Sequence, residues 1–481
     1  MSEEGVAFAT PEGRWVIAAA VLGSGVAFLD GTVVNAALPA IANDLHTGLA
    51  SLQWTLTAYL LTLGSLLVVG GSLGDLYGRR RIFVAGLAGF AIASLGCAVA
   101  QTSALLIVAR CIQGAAAAAL VPGSLALIAA SFRVEDRGRA IGAWSGLAGI
   151  STAIGPFLGG WLIDSVSWRY VFLINLPLSA IAIVMTMRHV PESRDEDSVR
   201  HVDVLGGLTL SVGLAGLVYA LIEGPAGTSG TVIVTAVVVG IGGLIAFAIV
   251  ETRSPQPMVP LALFRSRQFS GANAVTAAVY AAIGVAFFLI VVHLQTNLGY
   301  SALGAGAALL PVTLIMLVLS SRAGALAQRI GPRWPMTVGP VIVGVGLAML
   351  SGIDRGSSYP TGVLPGMLVF GLGLAVTVAP LTAAVLAAVD DHHAGIGSAL
   401  NNAAARIASL LAIAVVPAMV GLSDDFVAGY RKALLISAGL SAAGGVIAWF
   451  TIRTAAAVGT PAHVPVGPSC HEPCVKIDHA A

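Results

Sequence analysis

Long runs of apolar residues alternate along this chain with short polar segments. The apolar positions are continuous rather than placed at every second residue, which excludes the strands of a membrane β-barrel. A helix needs about 20 mostly apolar residues to cross a bilayer. We therefore predict an all-α integral membrane protein with fourteen membrane-spanning helices, at residues 15–38, 52–73, 82–101, 104–131, 140–163, 168–187, 204–222, 231–250, 270–294, 303–328, 335–351, 362–389, 395–421 and 433–450.

The arginine and lysine residues fall mostly on one side of this arrangement. With the N-terminus in the cytoplasm, 18 of the 24 lie in inside segments, 4 lie in outside loops, and Arg110 and Arg406 lie within the membrane. Positively charged loop residues are enriched on the cytoplasmic side of a membrane. An odd number of helices would reverse this bias in the later loops, so we predict an even number of spans with both termini in the cytoplasm.

The composition also indicates a membrane protein and excludes several other classes. Of the 481 residues, 57% are hydrophobic and 10% are charged, whereas a soluble domain carries about 25% charged residues. The net charge of +1 does not provide the basic surface of a nucleic-acid-binding protein. The sequence contains neither a phosphate-binding loop nor a catalytic-triad signature. We therefore predict no enzymatic activity, no ATP-driven step and no cofactor.

Two loops of the chain share one sequence pattern. Residues 71–80 read GSLGDLYGRR and residues 324–333 read GALAQRIGPR, so both fit G-x-L-x-(D/Q)-x-x-G-x-R at a separation of 253 residues. If the two loops correspond, helices 1–6 match helices 9–14, and helices 7 and 8 are an insertion. Internal repeats of this kind are typical of secondary transporters, whose substrate site lies between the two halves.

We divide the chain accordingly into two six-helix bundles and three further segments. The predicted parts are an N-terminal bundle at 14–190, a cytoplasmic linker at 191–203, two extra helices at 204–252, a C-terminal bundle at 268–453 and a disordered cytoplasmic tail at 454–481.

The first of the two loops has two possible roles. Gly71, Asp75, Gly78, Arg79 and Arg80 could form a tight cytoplasmic turn whose arginines fix the membrane orientation. Alternatively, the Asp75 carboxylate and the arginines could form a charge cluster that holds one conformation closed on the cytoplasmic side. Partly exposed ion pairs contribute only about 0–1 kcal/mol each, so such a cluster could be broken and remade at small cost.

Four motifs resemble those of the major facilitator superfamily and its fourteen-helix drug:proton antiporter branch. Segment 71–81 resembles the signature loop of the superfamily. Segment 29–39 (LDGTVVNAALP) resembles the helix 1 signature of the branch, and 110–114 (RCIQG) resembles the helix 4 signature. Gly149 together with 155–160 (GPFLGG) resembles the helix 5 motif associated with antiporters. The resemblance covers about residues 14–453.

This resemblance implies a multi-pass protein of the bacterial plasma membrane that exports small amphipathic or lipophilic compounds in exchange for protons. Drugs, antibiotics and natural products all fit this class of substrate. The implied partners are a small-molecule substrate, protons and the lipid bilayer, without nucleic acid, and the protein is expected to be a monomer. Two alternatives stay open: a permease or facilitator without proton exchange, and a non-transporting membrane sensor of the same fold.

Asp30 and Arg110 are charged residues inside predicted spans, where a charge costs about 2.5–3.5 kcal/mol and therefore marks a functional candidate. Measured from the outer ends of helices 1 and 4, they lie about 12 and 9 Å deep, so they can pair if the helices approach. The resemblance implies that both line the central cavity. We predict that Asp30 binds the coupling proton and that Arg110 tunes it; the alternative is a static ion pair. Gln113 shares a helical face with Arg110 and could contact Arg110 or the substrate.

Helix 13 carries a polar stripe. Ser398, Asn402 and Arg406 follow one another at intervals of four residues, with Asn401 beside them, so they share one helical face. Arg406 lies near the middle of the membrane, and no acid in the second half is placed to neutralise it. It could pack against backbone carbonyls, or it could attract an anionic or electron-rich group of the substrate. The lack of further acids argues against divalent organic cations as substrates.

Helix 5 is rich in small residues and contains one proline: Gly142, Gly146, Gly149, Gly155, Pro156, Gly159 and Gly160. The pairs Gly142/Gly146 and Gly155/Gly159 have a spacing that permits close helix contact, and Pro156 favours a kink. The helix could act as a hinge or seal between the halves, or it could represent ordinary tight packing.

The tail contains a short run of metal-ligand residue types, Cys470, His471 and Cys474. These side chains could bind zinc, but no second pair of ligands accompanies them. We therefore predict no metal site in the tail.

Overall fold

Helices make up almost all of the described chain. The computed structural model describes residues 5–194, 202–254, 257–389, 394–422 and 425–453. In these residues there is no β-strand, and one isolated bridge joins Val6 and Phe132. The α-helices are α1 (Pro11–Asp44), α2 (Leu49–Tyr77), α3 (Arg79–Ala98), α4 (Ser103–Ala117), α5 (Leu120–Ser131), α6 (Val134–Ser165), α7 (Tyr170–Leu173), α8 (Asn175–His189), α9 (Val204–Glu223), α10 (Gly230–Arg253), α11 (Arg267–Thr296), α12 (Ala302–Ala308), α13 (Leu310–Ile330), α14 (Arg333–Leu350), α15 (Leu364–Leu386), α16 (Ala394–Val420) and α17 (Phe426–Thr451). A 3₁₀ helix at Leu261–Arg265 and a π-helical turn at Tyr359–Val363 complete the set.

Thirteen segments of the described chain are long and apolar enough to cross a membrane. Each corresponds to one predicted span. The remaining predicted span is α6, which is 32 residues long and so reaches about 48 Å. Acidic and basic residues occupy its first turns and glycines recur along it, which lowers its hydropathy. The multi-span helical architecture is therefore confirmed, whereas the count of fourteen stays a prediction.

Three of the predicted spans are each broken into two helices. The breaks separate α4 from α5, α7 from α8, and α12 from α13. In each case a proline occupies the second or third position of the following helix: Pro122, Pro177 and Pro311. A proline lacks the N–H group and its ring clashes with the carbonyl of the preceding turn. The break therefore falls one turn before each of these prolines.

The two loops that share a sequence pattern also share a backbone feature. Gly78 separates α2 from α3 with φ of +107°, and Gly331 separates α13 from α14 with φ of +83°. Residues other than glycine rarely adopt positive φ. The glycine at this position of the pattern is therefore required by the turn in both loops.

The membrane-length helices form two groups, an N-terminal group (α1–α8) and a C-terminal group (α11–α17). We call the end at which α1 and α11 begin the first end; α17 also ends there, where the Arg453 amide donates to Gln268 Oε1 at 3.0 Å. The opposite end, which includes the loops at 45–48 and 297–301, is the second end.

The apolar core is continuous at the second end and divided at the first end. At the second end one cluster joins Leu38 and Leu52 of the N-terminal group to Leu289 and Ile413 of the C-terminal group. At the first end the N-terminal group has a cluster of its own. Another cluster there consists mainly of C-terminal residues, joined by side chains of α2. The two groups are therefore held together most firmly at the second end.

Helices α9 and α10 lie outside the two groups. They pack closely against each other, because Gly213, Gly216, Gly240 and Gly243 let the two backbones approach. α9 also contacts α2 and α16. Only 6% of the most apolar window of α10 is buried, so this helix exposes an apolar surface suited to lipid.

Candidate functional site

Asp30 and Arg110 form an ion pair buried inside the N-terminal group. α1 places the carboxylate and α4 places the guanidinium, and Arg110 Nη1 donates to Asp30 Oδ2. The two residues are 0% and 1% exposed. An unpaired carboxylate in such surroundings would carry a large desolvation cost, which the guanidinium compensates.

Two side-chain amides complete the coordination of Asp30. Its Oδ1 accepts from Gln113 Nε2 at 3.0 Å and from Asn175 Nδ2 at 2.9 Å. The same two amides donate to Ser94 Oγ at 2.7 and 3.3 Å. Because each contact of the carboxylate is with a donor, including the one from Arg110, the arrangement fits the ionised form of Asp30.

The other side of the Arg110 guanidinium is also satisfied within the N-terminal group. Its Nε donates to the Thr55 carbonyl at 3.0 Å, and its Nη1 donates to Gln113 Oε1 at 2.6 Å. The guanidinium lies over the Tyr59 ring, 4.3 Å from the centroid, in the geometry of a cation–π contact. Gln113 therefore bridges the acid and the base of the pair.

This cluster differs in two ways from the sequence-based expectation. The resemblance implies that Asp30 and Arg110 line a central cavity, but both are buried and their partners all belong to the N-terminal group. In addition, Ser94 and Asn175 are missing from the predicted set, because that set was built around charged side chains. Asn175 stands in a mostly apolar run, and an amide in hydrocarbon needs a partner, which is the signal that could have identified it.

Arg406 has very different surroundings. It lies half-buried on α16, at the boundary with the N-terminal group. A Cβ on Gly64 of α2 would lie 3.2 Å from Arg406 Cβ, and the Phe28 ring centroid of α1 is 6.0 Å from the guanidinium. Among the described residues, its guanidinium has neither a carboxylate nor a backbone carbonyl as partner. Packing against carbonyls, one of the two expectations for this residue, is therefore not found.

The amides next to Arg406 point in two directions. Asn401 Nδ2 donates to Asn273 Oδ1 at 3.2 Å and to Thr276 Oγ1 at 2.7 Å, both on α11. Asn402 Nδ2 donates to the Ser398 carbonyl of its own helix at 3.1 Å. Asn401 therefore ties α16 to α11, whereas Asn402 stays half-buried with Arg406.

The second half of α6 lies directly against α1. A Cβ on Gly159 would come within 2.5 Å of Val33 Cγ2, and one on Gly155 would clash with Thr32 Oγ1. Thr32 Oγ1 also donates to the Thr152 carbonyl at 3.1 Å. The close contact expected for the pair Gly155/Gly159 is therefore present.

The same part of α6 crosses α12 and so joins the two groups. A Cβ on Gly160 would lie 2.5 Å from Leu303 Cα, and one on Gly306 would clash with the Pro156 carbonyl. Asp164 extends the crossing, because its carboxylate accepts from the Ala302 and Leu303 amides at 3.1 and 2.8 Å. These amides belong to the first turn of α12, where a carboxylate is a favourable cap.

The boundary is closed near the second end and open toward the first end. Gln53 and Gln295 donate across it to the Ile413 and Ala36 carbonyls, at 2.7 and 3.0 Å. In the first half of α6, by contrast, no atom lies within 4 Å of the Cβ positions of Gly142, Gly146 and Gly149. The close contact expected for the pair Gly142/Gly146 is thus absent in this conformation, although its spacing equals that of Gly155/Gly159.

The loop at 71–81 is bound to its own group. Arg79 Nε contacts Asp75 Oδ1 at 2.8 Å, and the Arg80 amide donates to Glu192 Oε1 at 3.0 Å. A Cβ on Gly71 would lie 3.4 Å from Pro122 of α5. Every ion-pair partner that the described residues provide for this loop lies between 75 and 192.

The predicted tail, with Cys470, His471 and Cys474, lies outside the described residues. Within the described residues, no group of three or more His, Cys, Asp or Glu side chains could hold a metal ion.

Two groups of membrane-length helices around a boundary that contains a charged side chain define a membrane transporter. The chain belongs to the Major Facilitator Superfamily, whose family model matches residues 20–413. Among solved structures, a D-xylose-proton symporter has a TM-score of 0.67 at 15% identity, covering 92% of this chain and 98% of that one. The human organic anion transporter MFSD10 has a TM-score of 0.60 at 18% identity, covering 91% and 100%. The predicted family is confirmed; it consists of transporters of small molecules, not of enzymes.

The sequence relatives are bacterial resistance proteins. The multidrug resistance protein Stp of Mycobacterium tuberculosis is 36% identical over 82% of this chain and 73% of its own length. The puromycin resistance protein pur8 of Streptomyces alboniger is 34% identical over 92% and 93%. The methylenomycin A resistance protein of Bacillus subtilis is 32% identical over 90% and 93%. With its many apolar helices, the chain is a multi-pass protein of the bacterial plasma membrane.

Proposed function

We propose that this protein exports small amphipathic or lipophilic compounds, such as antibiotics, in exchange for protons. Export is supported by relatives that are named for resistance to puromycin and methylenomycin A and for the export of tetracenomycin C. Proton exchange is supported by one observation above all, the fully buried carboxylate of Asp30.

The coupling step follows from how Asp30 is neutralised. The positive charge beside it comes from Arg110 on a different helix, and both side chains are out of contact with water. A movement within the N-terminal group that withdraws Arg110 leaves an unpaired carboxylate in an apolar environment. The charged form is then strongly disfavoured, so the carboxylate takes up a proton.

The proposed sidedness places the first end in the cytoplasm, as the distribution of arginine and lysine residues requires. The structure then corresponds to the state that is open to the cytoplasm, with Asp30 ionised and the boundary ready to receive substrate. When the second end opens, the substrate leaves and Asp30 takes up a proton from outside. The return of the protein to the present state releases that proton into the cytoplasm.

For substrate binding we propose the boundary near Arg406 and Asn402. An unpaired guanidinium attracts an anionic or electron-rich group of a ligand, and Phe28 provides an apolar surface beside it. Asn401 positions α16 against α11 through its contact with Thr276. Gln113 acts in the proton-binding cluster and not as a substrate contact.

The remaining elements have mechanical roles in this proposal. α6 is the fourteenth span, because it follows α1 and crosses α12. Gly149, Gly155, Pro156, Gly159 and Gly160 seal the second end, and the loop of Gly71, Asp75, Gly78, Arg79 and Arg80 holds the N-terminal group together as one body. The two six-helix bundles move against each other within a single chain, so a monomer is the functional unit.

The test uses purified protein in liposomes and a panel of puromycin, methylenomycin A and tetracenomycin C. With a compound that the wild type accumulates when a pH gradient is imposed, we expect the Asp30→Asn variant to lose gradient-driven accumulation at least about tenfold, a loss of about 1.4 kcal/mol of coupling. We expect the same variant to retain exchange of labelled for unlabelled compound without a gradient, because exchange requires no net proton movement.

Asp354→Asn is the matched control, since Asp354 lies in an exposed loop at the second end and should behave as the wild type. Gradient-driven accumulation by Asp30→Asn at the wild-type level would contradict the coupling role.

The proposed sidedness has a separate test that uses the natural cysteines of the tail. A membrane-impermeant maleimide should label Cys470 and Cys474 only after cells are permeabilised. The variant with both replaced by serine gives the background from the remaining cysteines, of which Cys97 is buried. Labelling of the tail in intact cells would reverse the assignment.

A further inference from the structure

A strongly basic pocket lies at the first end of the C-terminal group. Its cavity of about 380 Å³ is lined by Arg267, Arg333 and Arg453 together with Trp449 and Phe450. The three guanidinium groups come from three places in the chain: Arg267 begins α11, Arg333 begins α14 and Arg453 follows α17. Since helix N-termini carry partial positive charge, the starts of α11 and α14 add to the positive potential of the pocket.

The charges of this pocket are not balanced by the described residues. Arg333 lies over the Trp449 ring at 4.1 Å, and its Nε is buried without a hydrogen-bond partner. Arg267 donates to the Phe450 carbonyl at 2.7 Å. Throughout the described chain, no carboxylate forms an ion pair with any of the three arginines. Buried donors without partners are uncommon, so the pocket has unused capacity for an acceptor.

The matching loop of the N-terminal group shows what is missing. Arg80 and Arg333 occupy the same position of the pattern G-x-L-x-(D/Q)-x-x-G-x-R. Around Arg80 the chain supplies its own carboxylates: Asp75 within the loop and Glu192 just after α8. In the C-terminal group, Gln328 stands in place of Asp75, and the residue after the last helix is Arg453 instead of an acid.

We propose that the pocket of Arg267, Arg333 and Arg453 binds a phosphate group, that of an anionic phospholipid head group in preference to free phosphate. Arginine groups bind phosphate oxygens through paired, charge-assisted hydrogen bonds. Two exposed aromatic side chains, Trp334 at 51% and Phe450 at 66% exposure, flank the pocket, and aromatic residues at this depth are typical of the lipid head-group region. The bound lipid holds the ends of α11, α14 and α17 together.

The test compares purified protein in nanodiscs of phosphatidylcholine alone with nanodiscs of equal parts phosphatidylcholine and phosphatidylglycerol. We expect the wild type to retain phosphatidylglycerol through purification, detected by native mass spectrometry, and to unfold at a higher temperature in the mixed nanodiscs. Arg333→Gln and Arg453→Gln should each weaken phosphatidylglycerol binding about tenfold, or by about 1.4 kcal/mol. Arg431→Gln, an exposed arginine at the second end, is the matched control and should bind as the wild type.

A third arm adds inorganic phosphate to the protein in lipid-free detergent. Stabilisation by phosphate that equals the effect of phosphatidylglycerol, and that Arg333→Gln removes, would support the phosphate site and assign its source to the free anion. Equal binding of phosphatidylglycerol by the wild type and both pocket variants would overturn the proposal, and so would the absence of any preference over phosphatidylcholine. Because Arg453→Gln alters an exposed side chain after the last helix, misfolding would not account for its result.

Discussion

The two groups of helices hold their polar side chains in opposite ways. In the N-terminal group, Asp30 and Arg110 neutralise each other, and Gln113 and Asn175 occupy the remaining acceptor positions of the carboxylate. In the C-terminal group, Arg406 lies at the boundary with no carboxylate beside it among the described residues. A closed cluster resists change until its helices move, whereas an open charge is available to a molecule from outside.

The same contrast occurs at the first end. The loop of the N-terminal group carries its own acids, Asp75 and Glu192, whereas the pocket around Arg333 contains arginines alone. The N-terminal group is therefore electrostatically complete in both places, and the C-terminal group requires external partners in both. Four substitutions test this difference, in order of the expected loss of stability.

Arg110→Ala should have the largest effect. It leaves the Asp30 carboxylate buried without its cation, and breaking a buried pair in this way costs about 3–5 kcal/mol. The free energy of unfolding by SDS titration in mixed micelles is the measurement. The double variant Asp30→Asn/Arg110→Ala should recover a large part of the loss, because no unpaired charge remains. A loss below about 1 kcal/mol for the single variant would mean that the pair is not buried as described.

Asn175→Ala should have the next largest effect. It removes one donor to Asp30 Oδ1, and a hydrogen bond to a charged group contributes about 1.5–3 kcal/mol. Ser179→Ala, one turn further along α8, is the control: its buried hydroxyl has no partner, so its removal should cost little. Equal losses for the two variants in the same SDS titration would show that Asn175 does not act through the carboxylate.

Arg406→Ala should affect transport and hardly affect stability. The guanidinium has no carboxylate partner to lose, so the free energy of unfolding should change by less than about 1 kcal/mol. The KM for an acidic or electron-rich substrate should rise about tenfold or more, since a charge-assisted contact contributes at least about 1.5 kcal/mol. Arg406→Lys, which keeps the charge, should fall between the wild type and the alanine variant. A large loss of stability with an unchanged KM would assign Arg406 a structural role.

Asp75→Asn should have the smallest effect on stability. The Asp75 side chain is 39% exposed in its contact with Arg79, and exposed pairs contribute about 0–1 kcal/mol. The small loss should shrink further when the SDS titration is repeated at high salt, because salt screens exposed charges. A salt-independent loss of several kcal/mol would place this pair in a buried environment similar to that of Asp30 and Arg110.

The sequence predicts the helical architecture well, because continuous apolar runs of membrane length have few alternative structures. The breaks before Pro122, Pro177 and Pro311 were not predicted, and the prolines alone would not have sufficed. Pro39 and Pro156 lie inside unbroken helices, so the outcome depends on what packs against the affected turn.

The candidate site was predictable in part. Depth along a straight helix depends only on residue number, so the equal depths of Asp30 and Arg110 follow from the sequence. The contributions of Ser94 and Asn175 depend on how α3 and α8 are rotated, which residue number does not determine. Likewise, equal glycine spacing in the two halves of α6 gave close contact at Gly155 and none at Gly142, because contact also depends on which end of the boundary is closed.

The apolar core that joins the two groups at the second end has a consequence for the range of compounds that can be carried. In an alternating cycle, the adhesion lost there is replaced by adhesion gained at the other face, so the two states differ by a small remainder of two large terms. A ligand shifts such a balance only through its unequal affinity for the two states, and a few kcal/mol are enough. Chemically dissimilar molecules can meet that modest requirement, which is how one scaffold can serve many toxins.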